Sequence, residues 1–227
     1  MLDLYFPRLM AAVKRVAYRL PIVRIPLRPT YPYWVTPGTL AAMVRLIGRE
    51  GTRGGSIIEV GVGRGITSVF LLEHLKAIGD PRSLILIDTF TGFTETDISY
   101  EVRNRDRRRN DLSDFSYGNP DILRGDLNRL GYNNHQIIAG DCACVDWAEI
   151  GPIAAMLLDV DLYSPTRAVL EGAWPHLLPG GGIVVDDCIA NHWADGSLEA
   201  YDQFISAWNL PFAPVGGKAA MIEKPLL

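Results

Sequence analysis

The sequence predicts an α/β fold, doubly wound about a mostly parallel sheet and closed by an antiparallel hairpin. Three observations point to it. Short, continuous apolar runs recur at 57–60, 84–87, 136–139, 154–158 and 183–185, as strands buried on both faces require. The segments between them carry apolar residues at helical spacing, so strand and helix alternate as they do when helices cross over a parallel sheet. Near the end, two short apolar segments flank Gly216 and Gly217, which is hairpin patterning.

The elements follow in chain order. Residues 1–30 hold Arg8, Lys14, Arg15, Arg19, Arg24 and Arg28 against one acid, Asp3, interleaved with Leu4, Phe6, Leu9, Met10, Val13, Val16 and Leu20. They predict a basic amphipathic helix and connector, docked on the protein or forming a homo-oligomer contact, with an anionic membrane as the alternative. Thr36 and Pro37 open a helix that runs through Leu40, Met43, Val44 and Ile47. Tyr31, Tyr33 and Trp34 just ahead of it are candidates for a substrate mouth, although packing accounts for them equally.

The stretch 56–75, SIIEVGVGRGITSVFLLEHL, reads as strand, glycine turn and helix, and 83–90 as a second strand with Asp88 at its carboxyl end. Residues 94–130 do not read as core. Arg103, Arg105, Arg107, Arg108 and Arg109 alternate with Asp97, Glu101, Asp106, Asp111 and Asp114, so the local field largely cancels. A solvated helical lid, inserted in a domain spanning 31–227, is expected there. A strand ending at Asp141, another ending at Asp159, a helix over about 164–178, a strand over 181–186, a helix over 198–208 and the hairpin complete the chain.

Composition narrows the classes. The 227 residues are 48% apolar and 21% charged with a net charge of −4, so nucleic acid is not an expected partner. No run approaches the roughly 18 apolar residues of a membrane span, and no signal-peptide pattern opens the chain. Three cysteines cannot make a disulfide framework, and a cytoplasmic location is expected. Cys142 and Cys144 lack the companions of a zinc site and are read as buried small hydrophobes.

Two features carry chemistry. The first is the glycine turn, where bare amide groups and a helix N-terminus let a ligand approach closely. Its glycines, Gly61, Gly63 and Gly65, do not fit G-x-G-x-x-G, because the sixth position from Gly61 is Ile66. The pattern E-x-G-x-G-x-G beginning at Glu59 instead resembles the first motif of class I S-adenosylmethionine-dependent methyltransferases. That resemblance implies a seven-stranded, Rossmann-like sheet with Glu59, Gly61, Gly63, Gly65 and Ser68 around the methionine end of the cofactor. Asp88 at a strand end is placed for the ribose hydroxyls, with Thr89 and Phe90 beside it. Asp141 and Cys142 are expected at the adenine, and Asp159 at the reactive end.

The second feature is a crowd of carboxylates, Asp159 and Asp161 in LLDVDLY and Asp186 and Asp187 in VVDDC. In an open parallel sheet both strand ends face the same crevice, where four like charges repel unless a cation sits among them. Oxygen donors of this kind suit Mg²⁺, while independent helix capping is the plain alternative. The segment LLDVDLYSPTRAVLEGAWPHLLPGGGIVVDDC resembles the signature of the macrocin O-methyltransferase family, metal-dependent sugar O-methyltransferases of macrolide and aminocoumarin biosynthesis. Asp88-Thr-Phe-x-Gly92 and Gly217-Lys218-Ala-Ala-Met-Ile resemble other parts of it. Related cephalosporin hydroxylase-like proteins are similar too.

The resemblance implies Mg²⁺ held by Asp159, Asp186 and Asp187, with Asp161 as general base and His192 as a second candidate. Catechol-type relatives use a Lys shortly after the first metal Asp, where this chain has Leu162 and Tyr163, which favours an aliphatic hydroxyl. Cys188 and the His192-Trp193 loop depart from the family pattern. The expected activity is methyl transfer from S-adenosylmethionine to a hydroxyl of a glycosylated small molecule, in antibiotic biosynthesis. The alternatives are a catechol-type or other small-molecule O-methyltransferase and a non-catalytic cofactor- or metal-binding module.

Overall fold

The computed structural model describes residues 31–112, 115, 116 and 118–226, together with Val13 and Val16, which are helical. The rest of the basic helix expected over 1–30, with its subunit contact, lies outside the described residues, as does Asp114 of the charged segment.

Seven strands form one sheet in the order β3-β2-β1-β4-β5-β7-β6. They are β1 (Ser56–Val60), β2 (Leu84–Asp88), β3 (His135–Ala139), β4 (Ile153–Leu158), β5 (Leu177–Val185), β6 (Pro214–Val215) and β7 (Ala219–Glu223). The first five are parallel, whereas β7 runs antiparallel between β5 and β6. The central β4 is apolar and buried throughout, and β1 beside it is buried from Ile57 to Val60.

Among the described residues from 31 onward, the helices that accompany the sheet are α1 (Pro37–Ile47), α2 (Ile66–Ala77), α3 (Glu95–Asn104), α4 (Pro120–Arg129), the single turn α5 (Trp147–Ile150), α6 (Tyr163–Ala173) and α7 (Gly196–Ala207). Alternate strand residues serve opposite layers, as the two-residue period of a strand dictates. Ile57, Leu84, Leu86, Ala155 and Leu157 pack with Met43, Leu46, Leu71 and Leu75 of α1 and α2. Ile58, Val60, Ile87, Met156 and Leu158 pack with Val169 and Leu170 of α6 and Phe204 of α7. Each such side chain contributes about 1.5–3 kcal/mol when fully buried.

Two expectations are corrected. The helix forecast to about residue 178 stops at Ala173. Trp174, Pro175 and His176 form a 3₁₀ turn, and β5 begins at Leu177 instead of 181. A proline at 175 cannot continue the ladder of amide hydrogen bonds. The register against β4 then jumps from Ile153–Leu177 to Ala155–Gly182, so the glycines of LLPGGG absorb a bulge.

The segment 94–130 is also less solvated than its charge suggests. Leu112, Leu123 and Leu127 are buried, and α4 lies between β2 and β3 as a regular crossover helix. Its apolar residues are too sparse for composition to reveal them. Among the described residues no helix is long and apolar enough to cross a membrane.

Candidate active site

The chain leaves β1 through Gly61 at φ +85°, where a Cβ would overlap the carbonyl oxygen of Asp159. Only a glycine lets the ends of β1 and β4 meet backbone to backbone. At the other end of the turn, Gly65 (φ +78°) starts α2 against the side chain of Leu123, which explains why that residue of α4 is buried. Asp88 holds the turn from β2: one oxygen accepts the amides of Val62 (2.7 Å) and Gly63 (2.9 Å), the other that of Phe90 (2.6 Å). The residue placed for a ribose therefore organises the backbone around it as well.

Glu59 is 1% exposed and accepts the Ser68 hydroxyl at 2.5 Å. Burial pushes its carboxyl up to about 8, against the opposing Ser68 hydrogen bond, so it carries a proton at neutral pH. Thr89 donates to the carbonyl of Gly92 (2.6 Å), and Asp141 caps a 3₁₀ turn by accepting the Ala143 amide (2.9 Å). Cys142 is buried with its thiol pushed up to about 12 by desolvation, which makes it an apolar wall. Cys144 is exposed, so the reading of both cysteines as buried fails there. It lies in a one-turn 3₁₀ segment that turns only Cys142 inward.

Beyond β4 and β5 the carboxylates gather. Oxygens of Asp159, Asp161 and Asp187 lie within 4.8 Å of one another. Asp161 and Asp187 both adopt left-handed backbone conformations, φ +62° and +55°, uncommon for residues with a side chain and frequent at functional sites. Burial, then the charges of Asp186, Asp161 and Asp187, hold the Asp159 carboxyl well above its ordinary range. Burial and contact with Asp187 do the same for Asp161.

Asp186 stands apart from this group. Its carboxylate is buried against the ammonium of Lys218 at 2.5 Å, and Lys218 also reaches Asp187 at 2.8 Å. Burial raises Asp186 to about 6, with Lys218 opposing. The set brought together geometrically thus contains Asp161 where the sequence placed Asp186. Lys218 is the residue that sequence reasoning passed over, although a base directly after the Gly216-Gly217 turn was a readable signal. Three converging carboxylates, of which Asp187 also accepts from Lys218, form a hard, oxygen-only donor set, which fits Mg²⁺.

Both features open into one cleft of about 370 Å³. Of the expected residues, Glu59, Gly61, Gly63, Asp88, Thr89, Asp141, Cys142, Asp159, Asp161, Asp187 and His192 line it. Gly65, Ser68, Phe90 and Asp186 sit behind that lining and act through their neighbours. Trp34 stands at the wall, whereas Tyr33 packs edge-on against Phe70 at 5.7 Å and Tyr31 is exposed. Aromatic rings form the far side: Phe93 lies 5.2 Å from Phe115, which stacks on Trp193 at 5.8 Å. His192 accepts the Ala194 amide through Nδ1 at 3.3 Å.

Residues 38–214 match the sequence profile of the family described as macrocin-O-methyltransferase (TylF). The chain belongs to that family. A curated relative, the 8-demethyl-8-(2,3-dimethoxy-alpha-L-rhamnosyl)-tetracenomycin-C 4'-O-methyltransferase of Streptomyces olivaceus, is 31% identical over 147 residues, 59% of this chain and 52% of the relative. The chain therefore spans about half the length of that protein. Among solved structures, the O-methyltransferase NovP superposes with a TM-score of 0.68 at 20% identity, covering 82% of this chain and 79% of that one. The calicheamicin methyltransferase CalS11 gives 0.66 at 21%, covering 94% and 90%. These likenesses establish that the chain has the fold of those proteins. Its own acidic centre lies on the loops after β4 and β5.

Proposed function

We propose that the protein is an S-adenosylmethionine- and Mg²⁺-dependent O-methyltransferase acting on a sugar hydroxyl of a glycosylated small molecule, in cytoplasmic antibiotic biosynthesis. The observation that carries this reading is the continuity of one cleft from the glycine turn to the carboxylates. When bound, the sulfonium cofactor supplies an electrophilic methyl group, and a divalent cation supplies the positive charge that makes an alcohol acidic enough to react near neutral pH.

The chain's own residues divide the remaining work. Protonated Glu59 and the close-approaching backbone of the glycine turn line the methionine end, Asp88 and Thr89 the ribose, and Asp141 and Cys142 the adenine. Asp159 and Asp187, with Asp186 behind them, would hold the cation. Asp161 accepts the acceptor's proton at a carboxylate oxygen, and His192 is the second candidate for that role. Orienting acceptor oxygen and methyl carbon in line supplies much of the acceleration. The aromatic side of the cleft suits the apolar face of a sugar ring or its aglycone.

Mass spectrometry of a panel of glycosylated acceptors, with cofactor, tests this. A gain of one methyl that stops in EDTA is expected. Cation-independent transfer, or transfer to ortho-diphenols alone, would overturn it.

A further inference from the structure

The two acidic loops are joined by a helix that neither loop's sequence announces. Glu101 of α3 is 1% exposed, and its carboxylate accepts two donors. One is the backbone amide of Tyr163, the first residue of α6, at 2.9 Å. The other is Nε of Arg105, also at 2.9 Å. Leu162, which precedes α6, offers it no side-chain cap, so an acid 62 residues upstream does the capping. Tyr163 follows Asp161 by two residues, across a tight turn in which the Leu162 amide donates to the carbonyl of Val160 at 2.6 Å. Tyr100, beside Glu101, stacks flat on Tyr163 with ring centres 5.1 Å apart.

From the same helix Arg105 reaches the other loop. It pairs with Asp195 at 2.6 Å and with Glu199 of α7, while Arg107 pairs with Asp195 and donates to the carbonyl of His192 at 3.1 Å. Gly196 leaves room for this arrangement, because a Cβ there would lie 2.5 Å from the Tyr163 nitrogen and 3.1 Å from a Glu101 oxygen. A charged helix chosen only for solubility would not bury its acid against two foreign segments.

We propose that Glu101 is a positioning residue, which with Arg105 clamps the Asp161 loop to the Asp187–Asp195 loop and so fixes the spacing of the carboxylates across the cleft. This rests on the reading of those carboxylates as the cation and acceptor site. Glu101 itself lies outside the cleft lining and touches neither ligand. Its effect is on geometry, and the glycine turn at the opposite end does not depend on it.

The test uses the full chain and compares Glu101→Ala and Glu101→Gln with the parent. Amide hydrogen exchange is followed in 159–163 and 187–195 against 59–66, Mn²⁺ is titrated by electron paramagnetic resonance, and S-adenosylhomocysteine by calorimetry. Glu101→Ala is expected to speed exchange in both acidic loops together, leaving 59–66 and the nucleoside affinity unchanged. It should also weaken Mn²⁺ by about 10- to 100-fold, the usual effect of losing a residue that orients a ligand. Glu101→Gln, which keeps an oxygen for the Tyr163 amide, should fall between the two.

Exchange that stays at the parent's rate in either loop, or that rises equally in 59–66, would overturn the clamp. A parent that binds no Mn²⁺ would sink the cation reading alone, since exchange decides the clamp by itself. Should Glu101→Ala fail to fold, Glu101→Gln and Arg105→Gln carry the same comparison.

Discussion

The two ends of the cleft are made in different ways. At the glycine-turn end, the loop's amides are held by Asp88 and by the carbonyl of Ile87, so the wall is mostly backbone. At the acidic end the backbone supplies only strained loops, and the site is made by side chains from α3, the β5 loop and the β7 hairpin, as far as 90 residues apart in sequence. A wall made of main chain depends on glycine and on conformation; one made of side chains depends on charge balance. The two ends should therefore fail in different ways.

The largest expected contrast is Asp161→Asn, which should lower turnover by about 100- to 10,000-fold, the range for removing a proton acceptor. Cofactor affinity by calorimetry should stay near the parent value; near-normal turnover would remove Asp161 as base and turn attention to His192. Gly61→Ala attacks the other end and should lower stability by at least about 3 kcal/mol, since it combines a left-handed backbone with an overlap on Asp159. Chemical denaturation measures it, and a change near zero would mean that the ends of β1 and β4 are free to separate.

A smaller effect concerns pH. Glu59 is protonated to about 8 in the fold and only to about 4.5 when unfolded, so its contribution is complete below 4.5 and declines as pH rises towards 8. Glu59→Gln mimics the protonated form, so its melting temperature should fall less steeply than the parent's between pH 5 and 8. Equal slopes would place Glu59 in a wetter site than described. The smallest effect is Arg109→Ala, which removes a solvent-exposed pair with Glu95 and should leave stability to chemical denaturation indistinguishable from the parent's. A measurable loss would show that even the solvated edge of 94–130 holds the carboxylate end together.

The same contrast explains what the sequence revealed. The glycine turn and the strand-end acids were legible because each is a short motif at the end of an apolar strand, and a parallel sheet gathers such ends on one side. The mostly parallel sheet followed from alternation of strand and helix, and the closing hairpin from Gly216-Gly217. Glu101 was invisible, one acid within a mixed-charge run, because its meaning depends on Tyr163 and Gly196. Lys218 could be read as a base after a glycine turn, but not its pairing with Asp186, which leaves Asp161 in the converging set. The early start of β5 was missed because LLPGGG lacks strand composition, although its glycines are what allow the bulge.

Lys218 also ties the acidic centre to the closing hairpin. It lies 31 residues beyond Asp187, so a ribosome adds the balancing charge well after the acids it faces. The same hairpin brings Gly216 against Gly38 at the start of α1, so one turn touches both the acidic centre and the first helix of the domain. A chain interrupted before the hairpin would carry every acid of its centre and still be unable to hold them close.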